Sequence, residues 1–479
     1  MTCMPAKKFK ILLATPPARK KEKAEAVFTE GGSAFPSTGL LILAEIARQA
    51  GHDVFFRDFL NEGLEPGAVL GVIGDLRPDI VAISANTDMI LSAAGLAAQV
   101  KASHAGTVTL LGGPHVTAVP VETMESCGGF DYGFIGEAEN SFAEFLAAGM
   151  AEDAIRGIRG LCYRRDGAVV VNERQPFIAD IDTLPLPAWD LIPDMGIYKP
   201  AVTNHRREPV FSLITSRGCS GQCLFCDRGV FGNRIRMHSA AYVLRMIRRL
   251  REQFGINELV FYDDNMVYDK SRLLEICDCL LREPEPLSWS CSARVDRVDE
   301  EMLTQMKRAG CWQISYGIES GSPEILRKMK KGITLEQVRR TAALMRKVGM
   351  SMRGYFIIGN PGETEETLRQ TLALILELPL DDVQVEYLTP YPGTELYREA
   401  GRYGTMRGDW SSMNSYMMNF LPHGMTEAML SDYFYRCYRS FYLRPRVIMH
   451  YCARLKNPLK MADLAVKYFK FKMSATRGS

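Results

Sequence analysis

Twice along this chain, short apolar runs alternate with amphipathic stretches of helical length, and no other feature restricts the fold as much. In the first run, residues 8–14 read as a buried strand, followed by strands at 53–59, 80–84, 107–112 and 131–135. Residues 37–50 carry helical periodicity and stop at Gly51, a residue suited to a helix C-cap. These five strands predict a flavodoxin-like (Rossmann-type) doubly wound domain over residues 1–150, which would bind ligands at the carboxyl ends of its strands. A second alternation starts near residue 208. Strands are expected at 209–216, 257–262, 288–293, 311–317, 352–358 and 382–389, with helices at 239–254, 269–282, 299–308, 334–347 and 363–377 between them. Six such units predict a partial (β/α)6 TIM-type barrel over residues 206–400, with its chemistry at the C-terminal ends of the strands. Residues 151–205 differ: 160–172 read as a hairpin turning at Asp166 and Gly167, and 180–193 as a proline-rich linker. Residues 401–479 are read as a helical C-terminal region with basic and aromatic side chains.

A chain of 479 residues, 47% hydrophobic and 24% charged, can bury two or three cores. A net charge of +2 gives no overall attraction to nucleic acid. No apolar run reaches the roughly 20 residues of a membrane span. The N-terminal apolar run is too short for a signal peptide, so a cytoplasmic location is expected. Thiols stay reduced there, which makes metal binding or core packing the expected use of the twelve cysteines. Cys277 and Cys279 fall on different faces of a helix and read as packing.

Three other cysteines are clustered. Cys219, Cys223 and Cys226 form CxxxCxxC directly after the first strand of the second run. Thiolates at such spacing can each ligate one iron of a cubane and leave the fourth iron open. Gly218 and Gly221 let the backbone wrap closely. The alternative is a structural zinc site, with His205 or His238 as fourth ligand.

The loop, with Phe225 before its last cysteine, resembles the radical S-adenosylmethionine superfamily, and further motifs follow in order over residues 205–400. They include Asp263 and Asp264 after the second strand, Arg294 after the third, Glu319 after the fourth, and Gly359 with Pro361 after the fifth. The resemblance implies a 4Fe–4S cluster whose open iron binds the amino and carboxylate groups of S-adenosylmethionine. Arg294 would pair with the carboxylate, Glu319 would bond the ribose or amino group, and Gly359 and Pro361 would shape the adenine pocket. Reduction, by a donor such as flavodoxin or ferredoxin, would yield a 5′-deoxyadenosyl radical. A rim ion pair is the plainer alternative for Arg294 and Glu319.

A flavodoxin-like domain ahead of this core resembles the cobalamin-dependent branch of the superfamily. Ser37 and Thr38, Ser84 and Thr87, Gly112, Gly113 and His115, and Gly136 and Glu137 lie at its expected strand ends. They would cradle the cofactor's nucleotide tail and phosphate and face the corrin. The DxHxxG motif is absent, so no histidine ligand to cobalt is expected. His115 is equally readable as an ordinary loop residue.

From Phe434 to Ser479 there are eleven Lys or Arg and one acidic residue, with aromatics between them. This reads either as a peripheral segment on the inner membrane surface or as a helix packing its aromatic face on the barrel. Met406, Met413, Met417, Met418 and Met425 suggest an apolar ligand or ordinary packing under a cap over residues 395–430. The resemblance therefore implies methylation of an unactivated carbon in a hydrophobic small molecule or lipid. Oxidation, cyclisation or ring rearrangement with the same cofactors is the alternative. A non-catalytic iron–sulfur sensor is the alternative of another class.

Overall fold

Within Lys10–Thr15 (β1) the run Ile11–Ala14 is apolar because both faces of the strand are covered. The computed structural model describes residues 7–18, 35–201 and 204–455. β1 pairs in parallel with Asp53–Asp58 (β2) on one side and Ile80–Ser84 (β3) on the other. Val108–Gly112 (β4) and Tyr132–Phe134 (β5) continue outward, also in parallel. The order β2-β1-β3-β4-β5 reverses between β1 and β3, which opens a crevice beyond the carboxyl ends of the strands. The hairpin of Leu161–Arg165 (β6) and Ala168–Val171 (β7) is bonded antiparallel to β5. It thus completes this first sheet beyond residue 150, covering an edge of β5 that would otherwise carry unpaired backbone groups. The proline-rich stretch is packed as well. Ala188 donates to Leu41 O at 3.0 Å, and the Tyr242 hydroxyl donates to Leu184 O and Pro185 O at 2.9 and 3.0 Å.

Val210–Leu213 (β8) starts a second sheet. A two-residue ribbon follows, Ser216–Arg217 (β9) paired antiparallel with Arg236–Met237 (β10). The sheet then runs through Glu258–Phe261 (β11), Ser288–Ala293 (β12), Cys311–Glu319 (β13), Ser351–Ile358 (β14) and Asp382–Tyr387 (β15), parallel throughout and in sequential order. The helices between these strands begin on the side-chain caps Ser239, Asp269, Asp299, Thr334 and Thr364, which satisfy first-turn N–H groups. Phe211, Phe261, Trp289, Tyr316, Phe356 and Val385 pack with those helices in the main core. Strand side chains alternate in direction, so the other face of the sheet carries Ser212, Ser290, Ser292, Ser315, Glu319, Arg353, Gln384 and Glu386. Together with Val210, Val260, Tyr355 and Ile357 they make up the lumen face of the sheet, polar in the majority.

The helix Glu427–Tyr442 closes the exposed edge of the second sheet. Phe434 stacks on Tyr387 with ring centroids 4.5 Å apart, and the Tyr438 hydroxyl lies 3.0 Å from both Val385 N and Val385 O. Those aromatics serve edge packing. The remainder of the basic, aromatic segment, residues 456–479, lies outside the described residues. Among the described residues no helix is long and apolar enough to cross a membrane.

Candidate active site

The loop between β9 and β10 carries the three clustered cysteines at the carboxyl end of β8. Its entry needs glycine: Gly218 has φ +88°, and a Cβ there would lie 2.4 Å from Arg234 O. A Cβ on Gly221 would lie 3.4 Å from the Cys219 sulfur, 3.8 Å from the Cys223 sulfur and 3.8 Å from an Arg294 nitrogen. This glycine therefore holds two sulfurs and the guanidinium around one small space. Cys223 is half-buried, which pushes its thiol up, while Cys226 is exposed. Among the described residues, no three His, Cys, Asp or Glu side chains converge on a single ion. The histidines offered as zinc ligands are engaged elsewhere. His238 stacks on Tyr242 and bonds Asp182 at 3.0 Å, and His205 lies 3.2 Å from Glu208.

Glu319, at the end of β13, has φ +66°, a rare conformation for a residue with a side chain, and the strand pairing shifts register beside it. The strained backbone turns its carboxylate onto Lys331, whose Nζ donates to it at 2.6 Å. Both side chains are buried. Burial works to lower the Lys331 pKa, but Glu319 and the neighbouring Cys223 outweigh it and the lysine stays charged. Arg294 is held by Asp296 at 2.9 Å and by Lys331 O at 3.2 Å. Gly359 has φ +86°, and Pro361 is buried beside it. Between them Asn360 has a buried carbonyl oxygen with no partner among the described residues, an acceptor available to a ligand's amino group. Asp263 is fully buried and pins the chain just before the cysteine loop, accepting from Thr215 N and Thr215 Oγ1, each at 3.0 Å. Asp264 faces open space, yet the depth of the cleft holds its carboxyl above the usual carboxylate range. Phe225 packs on an apolar cluster of Leu224, Leu388 and Leu396.

The crevice of the first sheet is an open cleft. Ser84, Gly112, Gly113, Gly136 and Glu137 line it, as do Gly39 and Leu40, which follow Ser37 and Thr38 at the start of the helix Thr38–Gln49. A Cβ at Gly113, which has φ +106°, would lie 2.7 Å from Ala85 O, whereas a Cβ at Gly112 or Gly136 would meet nothing within 4 Å. These glycines leave room for a bulky group beside bare backbone, which fits the tail of cobalamin. Arg217, Val230 and Phe231 of the second domain form the opposing wall. His115 is not on that wall. It is fully buried, with Nδ1 3.2 Å from Thr87 Oγ1 and its ring edge-on to Trp410, and burial drives its pKa down to about 4. Gly112→Val is expected to weaken cobalamin binding about tenfold or more in an absorbance titration, with the unfolding midpoint unchanged.

Sequence reasoning missed Lys331, Asn360, Glu386 and Arg217. Glu386 points into the lumen, accepts from Gln384 Nε2 at 2.5 Å, and is held above the usual carboxylate range by burial. The run Lys330-Lys331-Gly332 was the available signal for the lysine.

Residues 213–375 match the radical SAM superfamily and residues 24–146 match the B12 binding domain. An uncharacterized methyltransferase of Pyrococcus horikoshii is 35% identical over 92% of this chain and 94% of its own length. The anaerobic magnesium-protoporphyrin IX monomethyl ester cyclase of Rubrivivax gelatinosus is 26% identical over 91% of this chain and 79% of its own. A solved structure of a radical S-adenosylmethionine methyltransferase from Kitasatospora setae, with tryptophan substrate and an S-adenosylmethionine analogue bound, superposes with a TM-score of 0.67. It covers 89% of this chain and 82% of its own at 18% identity, a similarity of fold.

Proposed function

This chain belongs to the cobalamin-binding radical S-adenosylmethionine enzymes, and from that premise we propose that it methylates an unactivated carbon of a small molecule held in the lumen between its two cofactor sites. The observation that carries the reading is that a cysteine loop and a glycine-walled cavity share Arg217, Val230 and Phe231 as a common wall. We read the first domain as flavodoxin-like and the second as a partial (β/α)6 barrel. When bound, the cofactors supply a hydrogen-abstracting radical and a methyl group.

The chain's own residues hold and orient. Cys219, Cys223 and Cys226 would take three irons. Arg294 would bind the carboxylate of S-adenosylmethionine, while Lys331, bonded to Glu319 at 2.6 Å, would hold the Glu319 carboxylate toward the same ligand. Gly359, Asn360 and Pro361 would surround its adenine. Glu386 and Asp264 face the lumen and are available to bond a substrate. Their carboxyls, with the serines below them, favour a substrate with hydrogen-bonding groups over the bare hydrocarbon suggested by the methionines. A donor such as flavodoxin or ferredoxin would supply the electron.

The 35% identical methyltransferase supports methylation. The cyclase relative supports the second reading, oxidation or cyclisation with the same cofactors. Turnover with methyl-deuterated S-adenosylmethionine separates them. Deuterium in the product is expected, and an unlabelled product would overturn methylation while leaving the radical chemistry intact.

A further inference from the structure

Glu137 lies in the cobalamin-binding domain but is occupied by the other domain. Its two carboxylate oxygens accept from Arg217 at 3.0 Å and from Arg236 at 2.7 Å, and Ile178 N donates to it at 3.0 Å. Glu139 accepts from the other end of the Arg217 guanidinium at 2.5 Å. All four side chains are 8% exposed or less. Arg217 and Arg236 are cross-strand partners in the β9–β10 ribbon. Two like charges so placed repel unless an anion lies between them, and Glu137 is that anion.

The ribbon is also the neck of the cysteine loop. Arg217 stands two residues before Cys219, and Cys219 N donates to Gly232 O at 3.4 Å across the loop. Val230 and Phe231, from the same loop, form one wall of the cavity, and Gly136, next to Glu137, lies in the opposite wall. The charged network thus joins the loop that would hold the cluster to the cavity that would hold cobalamin.

We propose that the Glu137–Arg217–Arg236 network couples the two sites, so that a cluster on Cys219, Cys223 and Cys226 tightens cobalamin binding, and cobalamin in return stabilises the loaded loop. The loop has no strand or helix of its own between β9 and β10. Ligation to a cluster fixes it at three points. The cost of ordering the Val230–Phe231 wall is then already met when cobalamin arrives. Linkage requires the effect to be reciprocal.

The proposal rests on the cobalamin reading, and the test separates the two. Hydroxocobalamin is titrated by absorbance, without oxygen, into the full chain with a reconstituted cluster and again after iron chelation. The expected result is binding at least about fivefold tighter with the cluster present. In Glu137→Gln the ratio of the two affinities should fall toward one, whatever the change in either affinity alone. A role confined to stability would shift both affinities and leave their ratio alone. If Glu137→Gln does not fold, Glu139→Gln, which keeps every bond of Glu137, should lower the ratio by a smaller factor. Equal affinities in the wild type, or the wild-type ratio in whichever variants fold, overturn the coupling. No binding in either state overturns the cobalamin assignment itself and the coupling with it.

Discussion

Replacing Cys223 by alanine is expected to abolish the brown iron–sulfur absorbance and all 5′-deoxyadenosine formation, with far-ultraviolet circular dichroism unchanged. The cysteine sits on a loop outside the hydrophobic cores and supports neither sheet, so the fold does not depend on it. The cluster would, because each thiolate in this loop would serve one iron and no fourth cysteine stands ready in the sequence around it. The corresponding changes at Cys219 and Cys226 should behave alike. Any variant that kept wild-type absorbance and S-adenosylmethionine cleavage would remove that cysteine from the ligand set.

The second large effect concerns stability. Asp382 accepts from Arg353 Nε at 2.6 Å and from the Tyr442 hydroxyl, at the floor of the lumen, with both members of the ion pair buried. Burial alone would lower the Arg353 pKa, but Asp382 outweighs it and the guanidinium is held charged. Asp382→Ala removes the compensating anion and leaves that charge in a low-dielectric interior. The expected loss is about 3–5 kcal/mol in denaturant unfolding. The paired substitution Arg353→Met with Asp382→Leu should regain most of it, since neither charge then needs solvation. A loss under about 1 kcal/mol for the single change would mean that water reaches the pair.

Much of this architecture was legible before any coordinates. The strands expected at 80–84 and 288–293 are Ile80–Ser84 and Ser288–Ala293, and the helix starts expected at 239, 269, 299 and 334 fall on the capping residues. These features are local, since side-chain period and cap chemistry act within a few residues. The hairpin at 160–172 was read correctly as a hairpin, but its place in the first sheet was not visible, because pairing with β5 depends on an edge supplied by distant residues. The aromatic run after Phe434 was balanced between a membrane surface and packing. Only the position of β15 beneath Phe434 and Tyr438 shows that these aromatics cover a sheet edge.

The candidate site divides in the same way. CxxxCxxC is a local spacing on one loop, so the sequence alone pointed to Cys219, Cys223 and Cys226 as the candidate cluster ligands. Nothing local marks Lys331 as the partner of Glu319, Glu386 as a lumen carboxyl, or Glu137 as the clamp on Arg217 and Arg236. The last three residues are 80 and 99 positions apart. Buried charges draw their stability from partners that folding brings within hydrogen-bond distance, and those partners leave no periodic trace along the chain. Tertiary structure therefore decided what the sequence could not: a polar lumen, a charged lysine beside the cysteine loop, and a shared wall between the two cofactor sites.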